Sequence, residues 1–141
     1  MLNTSLSPWP SFTQEEADAV SRVLLSNKVN YWTGQECREF EKEFAAFAGT
    51  EYAVALANGT LALDVALKAM DIGTGDDVIV TSRTFLASAS AIVTAGANPV
   101  FADVDLNSQN ISADTIQAAL TPTTKAIIVV DIFGQPYDVE A

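Results

Sequence analysis

The sequence contains no histidine and one cysteine, Cys37. The first absence removes imidazole as base, nucleophile or metal ligand. The second argues against an intramolecular disulfide or a cysteine-rich zinc site, and a reducing cytoplasm is the simplest setting for such a chain. Basic residues are also scarce: seven Lys and Arg stand against 18 Asp and Glu, a net charge of −11. That balance speaks against a nucleic-acid backbone or an acidic membrane surface as partner. An anionic ligand must be held by local donors, because no broad positive field is available. The N-terminus, MLNTSLSPWPSF, lacks the basic start and apolar core of a secretory signal. The longest apolar run, Phe85 to Ala97, is broken by Ser and Thr and is too short to span a bilayer. Neither an internal repeat nor a low-complexity linker is visible.

What is present suits a globular domain: 141 residues, 49% hydrophobic and 18% charged. After an irregular arm over residues 1–12, Thr13-Gln14-Glu15-Glu16 reads as a capping box. A helix to about Ser26 follows, with Ala17, Val20, Val23 and Leu24 predicted on its buried face. NKVNYWTG breaks the period. Gln35 to Ala48 restores it, with Cys37, Phe40, Phe44 and Phe47 in line as packed core, Glu36 to Glu43 as a solvated face, and Gly49 as the stop. The rhythm then changes. Tyr52–Leu56, Val78–Thr81, Pro99–Ala102 and Ala126–Val130 fit buried strands, and Thr60–Met70, Thr84–Ala95 and Ser112–Leu120 fit helices. This alternation predicts an α/β fold with a mainly parallel sheet covered by helices on both faces. Asp76-Asp77 reads as a solvated turn. The final GQPYDVEA resembles the start of another helix, so the chain is expected to be cut short.

Asn58-Gly59-Thr60 lies where the first predicted strand meets a helix. In parallel sheets, ligands bind outside the carboxyl ends of strands. A helix beginning there offers unpaired N–H groups and the positive end of its dipole. Gly59 lets backbone approach an anion closely, and the Thr60 hydroxyl adds a donor: a phosphate seat without Lys or Arg. The same three residues also suit a simple capped turn, and the residues alone leave both open. At the next strand exit, Phe85 can lie flat on a planar heterocycle or pack into the core.

The ordered segments FEKEFAAFAGTEYAVALANGTLALDVAL, GDDVIVTSRTFLASASAIVTAGANPVFADVD and LTPTTKAIIVVDIFGQPYD together resemble the DegT/StrS-type sugar aminotransferases. These are pyridoxal-phosphate enzymes of the aspartate-aminotransferase fold. The resemblance implies that Gly59 and Thr60 bind the cofactor phosphate and that Phe85 stacks on its ring. It implies that Tyr31, Trp32 and Thr33, with Gly34, form an entry loop near the sugar-nucleotide site of a homodimer. On this reading residues 1–34 are the arm, first helix and entry loop. Residues 35–141 are then a partial cofactor-binding large domain, truncated at its C-terminal side. Asp131 stands where many members carry His.

The family bonds its cofactor to a lysine and pairs an acid with the pyridinium nitrogen. Neither Lys28, Lys42, Lys68 nor Lys125 matches that lysine, and Lys68 reads as the surface partner of Asp64. No catalytic residue is therefore assigned. The chain alone is expected to be inactive and to bind pyridoxal phosphate weakly or not at all. The complete enzyme would move an amino group, from glutamate, to a nucleotide-linked keto sugar; a dehydratase variant lacking the lysine is a close relative. Two other readings remain. Asp103-Val104-Asp105 follows a strand and could hold a divalent metal on a nucleotide sugar, as in a glycosyltransferase. Alternatively the chain is a non-catalytic subunit that contributes a dimer surface or a cleft.

Overall fold

The computed structural model describes residues 8–138, and its contacts divide the chain into two units, Met1–Ala55 and Leu56–Ala141. In the first unit, helix α1 (Gln14–Leu25) opens with the predicted capping box. The Thr13 hydroxyl accepts the Glu16 N–H at 3.3 Å while the Glu16 carboxylate accepts the Thr13 N–H at 2.6 Å. Helix α2 (Glu36–Ala48) ends at Gly49, whose φ of 68° is the left-handed stop that glycine permits. The apolar stripes of both helices exist, but they are not core. No residue of α1 is buried, Ala45 alone is buried in α2, and Cys37 is exposed. Helical periodicity marks which face is apolar, whereas burial needs a second layer, and the described residues of this unit supply little of one. Phe40, Phe44 and Phe47 instead stack along the helix surface, with centroids 5.6 and 6.3 Å apart. Glu41 also departs from the predicted solvated face: it accepts the Tyr31 hydroxyl at 3.1 Å and the Ala55 N–H at 2.8 Å.

Tyr52–Leu56, expected as a strand, joins no ladder among the described residues. Its composition suits a strand, but a strand needs a hydrogen-bonded neighbour. The second unit holds a parallel sheet of β1 (Asp77–Thr81), β2 (Asn98–Ala102) and β3 (Thr124–Ile128) in the order β2-β1-β3. Ile79 of the central strand lies opposite Val100 and Ile127. Helices α3 (Gly59–Ala69), α4 (Leu86–Thr94) and α5 (Ala113–Ala119) alternate with the strands.

Successive residues of β1 point to opposite faces. Val78 and Val80 enter one core with Leu67 of α3 and Ala91 and Ile92 of α4, whereas Ile79 enters another with Ile111 and, from α5, Ile116 and Ala119. Both faces are thus covered, as predicted. The direction of α3 and α4 follows from contacts at their ends. A Cβ on Gly73, just past α3, would sit 3.5 Å from the Ala95 carbonyl, and one on Gly96, just past α4, would sit 3.2 Å from Thr74 Oγ1. The two helices therefore end side by side. Because α4 returns the chain from β1 to the parallel strand β2, both helices begin at the carboxyl edge of the sheet.

At the opposite, amino edge, Asp77 is no solvated turn residue. Its carboxylate accepts from the Thr121 hydroxyl, from Asn98 Nδ2 at 2.9 Å and from the Thr123 hydroxyl at 2.9 Å. One side chain of β1 thus binds the first residue of β2 and the turn that feeds β3. The register agrees, with Asp77 opposite both Asn98 and Thr124. This anchorage brings Thr124 into the ladder, so β3 starts two residues before the Ala126 expected from composition.

The hydroxyl of Thr121, followed by Asn98 and Thr123, holds the Asp77 carboxyl below its ordinary value. A depressed folded-state value contributes stability that is present above the unfolded carboxylate range, near about 4, and lost as pH falls through the folded value. Asp77→Asn is accordingly expected to flatten the fall of melting temperature with pH below about 4. Thermal melts from pH 6 to pH 2 check this, and identical acid limbs for the two proteins would refute it.

Candidate functional site

The carboxyl edge of the sheet carries the candidate residues of the second unit. Asn58 caps α3: its Oδ1 accepts the Leu61 N–H at 3.0 Å, and its carbonyl accepts the Ala62 N–H at 3.2 Å. The capped turn is present, and it does not use up the donors at the start of the helix. The cap uses the Leu61 amide and leaves the N–H groups of Gly59 and Thr60 without a partner among the described residues, together with the Thr60 hydroxyl. A Cβ on Gly59 would meet nothing within 4 Å, so the space beside the first residue of α3 is open. Two free N–H groups, a hydroxyl and a helix dipole can hold a dianion of phosphate size.

Phe85 is the residue immediately before α4 and is 76% exposed. The core-packing alternative is therefore overturned, and the ring has a free face. The neighbouring Thr84 hydroxyl is engaged with Ser88 at 2.9 Å, which orders the turn. With α3 and α4 packed together and starting at the same edge, the open start of α3 and the exposed Phe85 ring share one rim of the sheet. The residues present fit a phosphorylated planar heterocycle such as pyridoxal phosphate.

Tyr31, Trp32 and Thr33 lie in the first unit. Asn30 Oδ1 gathers the Trp32 N–H at 3.0 Å, the Thr33 N–H at 3.1 Å and the Thr33 hydroxyl at 3.2 Å, so the Thr33 side chain is spent on shaping the loop. Gly34 is obligatory: a Cβ there would sit 2.5 Å from the Lys28 carbonyl. Arg38 stacks on the Tyr31 ring at 5.1 Å, and Trp32 stays 83% exposed. Tyr31 and Arg38 line a shallow pocket of about 310 Å³ with Glu41, Lys42 and Tyr52.

The metal alternative fares differently. Asp105 accepts the N–H groups of Asn107 and Ser108 at 3.0 and 2.8 Å, and bonds from Ser108 first of all hold its carboxyl below the ordinary value. Asp103 accepts the adjacent Val104 N–H at 2.8 Å. The pair shapes a loop, and among the described residues no group of three or more His, Cys, Asp or Glu could hold a metal ion. Nor do Asp64 and Lys68 pair; the ion pair found among the described residues is Lys42–Glu39 at 2.7 Å. One functional candidate has no signature in sequence: Arg83, two residues before Phe85, whose partners Gln109 and Phe133 are far along the chain. The available signal is its position, a lone cation in a strand exit.

A parallel sheet with helix N-termini and an exposed aromatic at its carboxyl edge defines the class: an α/β domain of the kind that takes ligands at that edge. The chain belongs to the DegT/DnrJ/EryC1/StrS aminotransferase family, whose model matches residues 10–141. It is 45% identical over 132 residues to the spore coat polysaccharide biosynthesis protein SpsC of Bacillus subtilis, covering 94% of this chain and 33% of that protein. It is 42% identical over 130 residues to the dTDP-3-amino-3,6-dideoxy-alpha-D-galactopyranose transaminase of Aneurinibacillus thermoaerophilus, covering 92% and 35%. The crystal structure of an aminotransferase from Psychrobacter cryohalolentis superposes with a TM-score of 0.90 at 65% identity, covering 94% of this chain and 33% of that one. This chain thus spans about a third of the length of these relatives, and the fold is part of the aminotransferase fold. Members of the family bind pyridoxal phosphate, and a Streptococcus pneumoniae protein 34% identical to this chain was solved in a PLP form. Membership displaces the glycosyltransferase reading of Asp103 and Asp105.

Proposed function

We propose that this chain supplies the phosphate- and ring-binding part of a pyridoxal-phosphate-dependent sugar aminotransferase, which transfers an amino group from an amino acid, glutamate, to a nucleotide-linked keto sugar. The observation that carries the reading is the open start of α3, where Gly59 and Thr60 keep two N–H groups and a hydroxyl unpaired on the rim that also presents Phe85. Gly59 and Thr60 would hold the phosphate and Phe85 would support the ring. When bound, the cofactor supplies an electron sink for chemistry at the carbon bearing the amino group. This chain's own residues bind, orient and shield one face of that group. Tyr31, Trp32 and Thr33 would form the entry to the sugar-nucleotide site.

Transamination also needs an amine that moves a proton and an acid beside the pyridinium nitrogen. None of the four lysines stands in either the phosphate seat or the platform, so we assign no catalytic residue and propose that the chain alone is inactive. Exposed apolar side chains, Trp32, Phe47 and Phe101 among them, support self-association as a homodimer. The exposed free thiol of Cys37 supports a reducing, cytoplasmic setting. No helix of the described residues is long and apolar enough to cross a membrane.

The test is a calorimetric titration of the 141-residue chain with pyridoxal phosphate, followed by an assay with glutamate and a nucleotide-linked keto sugar. Weak saturable binding is expected, with the cofactor's absorbance remaining that of the free aldehyde and no amino transfer. Turnover by the chain alone would overturn the proposed inactivity, and no binding at millimolar cofactor would overturn the proposal that Gly59, Thr60 and Phe85 hold the cofactor without the rest of the enzyme.

A further inference from the structure

The loops that follow all three strands of the sheet meet at one side chain. Arg83 leaves the end of β1, where its N–H donates to the buried Thr81 hydroxyl at 3.2 Å. Its Nη1 donates to Oε1 of Gln109, from the loop after β2, and its guanidinium carbon lies 5.8 Å from the ring centroid of Phe133, after β3. Gln109 is itself oriented for this, because its Nε2 donates to the Leu106 carbonyl at 2.6 Å and so turns its oxygen towards the arginine.

Two features separate this arrangement from an ordinary surface arginine. The first is backbone cost. Four non-glycine residues among those described have positive φ, and two of them are the partners of Arg83: Gln109 at 61° and Phe133 at 55°. Side-chain-bearing residues adopt that region at a cost, which surrounding structure must offset. The second is how the charge is held. Like Arg22 and Arg38, Arg83 forms no ion pair among the described residues, but it alone of the three is fixed both by a side-chain amide oxygen and by a ring, each from a different strand exit. An amide oxygen and an aromatic ring hold the guanidinium in place while leaving its charge uncompensated. A guanidinium has five donors in a fixed fork suited to bidentate contact with an oxyanion, and one Nη is occupied here. Its place is the carboxyl edge, two residues before Phe85.

We propose that Arg83 binds an oxyanion carried by a substrate, either the carboxylate of the amino donor or the diphosphate of the nucleotide sugar, with Gln109 and Phe133 as positioning residues. This rests on the reading that the carboxyl edge is the ligand site, and it adds a substrate contact to a cofactor site formed by other residues. The chain has too few cations to attract an anion by general field, so one fixed arginine makes a disproportionate contribution to recognition.

The experiment titrates the 141-residue chain, saturated with pyridoxal phosphate, with glutamate in one arm and thymidine diphosphate in the other. Wild type, Arg83→Gln, Arg83→Lys and Phe133→Leu are compared by calorimetry. Loss of a charge-assisted bidentate contact predicts that Arg83→Gln weakens one arm about 10- to 100-fold. Arg83→Lys should recover part of the loss, and Phe133→Leu should weaken the same arm by a smaller factor. The arm that responds identifies the source of the oxyanion. Pyridoxal phosphate affinity serves as the control and should be the same in all four proteins, and a cooperative melt shows that each variant is folded at the titration temperature. Equal substrate binding by wild type and Arg83→Gln, or no binding of either compound by wild type, overturns the proposal. A loss confined to pyridoxal phosphate would also overturn it, by assigning Arg83 to the cofactor. Failure of the wild type to bind pyridoxal phosphate at all is a different result, and it would defeat the functional reading instead.

Discussion

Gly59→Ala is expected to make the protein slightly more stable and a much poorer binder of pyridoxal phosphate. The stability change comes from the backbone. Alanine is favoured over glycine in a helix by roughly 1 kcal/mol, and somewhat less in the first turn. Gly59 is not in the left-handed region and nothing lies within 4 Å of its missing Cβ, so the methyl group enters without a clash. That same open space is where a phosphate must approach the free N–H groups of Gly59 and Thr60. A charge-assisted hydrogen bond contributes about 1.5–3 kcal/mol, so displacing one weakens binding by about 10- to 100-fold. Thr60→Ala leaves the amides and removes the hydroxyl, and a loss of about tenfold is expected. Calorimetric titration and melts on both variants check the pair. Unchanged cofactor affinity in Gly59→Ala would show that the seat binds nothing there. Parallel loss of stability would show that the glycine serves the fold.

Ile79→Ala should produce the largest loss of stability of any single truncation in the second unit. Ile79 is fully buried in the central strand and packs against Ala102, Ile111, Val100 and Ile116. Truncation of such a side chain costs about 2–5 kcal/mol through lost burial and the cavity left behind. Small domains have about 5–15 kcal/mol in all, so the variant stands near the unfolding threshold. Phe47→Ala removes a larger side chain that is 88% exposed, and a change within about 0.5 kcal/mol is expected. Urea denaturation of the two variants gives the comparison, and a midpoint for Ile79→Ala within error of wild type would contradict the assignment of this cluster as core.

Local signals were legible in the sequence and long-range ones were not. The capping box of α1, the glycine stop of α2, and the alternation that gives a parallel sheet all rest on residues within a few positions of one another. The candidate phosphate seat was readable for the same reason, since Asn58, Gly59 and Thr60 are consecutive. The stripe from Cys37 to Phe47 was legible as apolar, but its burial depends on a covering layer that periodicity does not describe. Tyr52–Leu56 has strand composition without the neighbour that makes a strand. Asp77 looked like a turn residue because its partners lie 21, 44 and 46 positions away. Arg83 was silent for a similar reason: Gln109, 26 positions on, reaches it only through the topology of the sheet.

The cluster on Asp77 bears on how such a domain can change over time. Parallel strands have no tight hairpin to fix their relative offset, so alignment must be set elsewhere. Here a single carboxylate ties β1 to the start of β2 and to the turn that feeds β3 at one rim, opposite the candidate site. With alignment secured there, the loops at the far rim are free to lengthen, shorten or exchange side chains without sliding one strand past another. New substrates can be explored at one end of the sheet while the other end keeps the pattern.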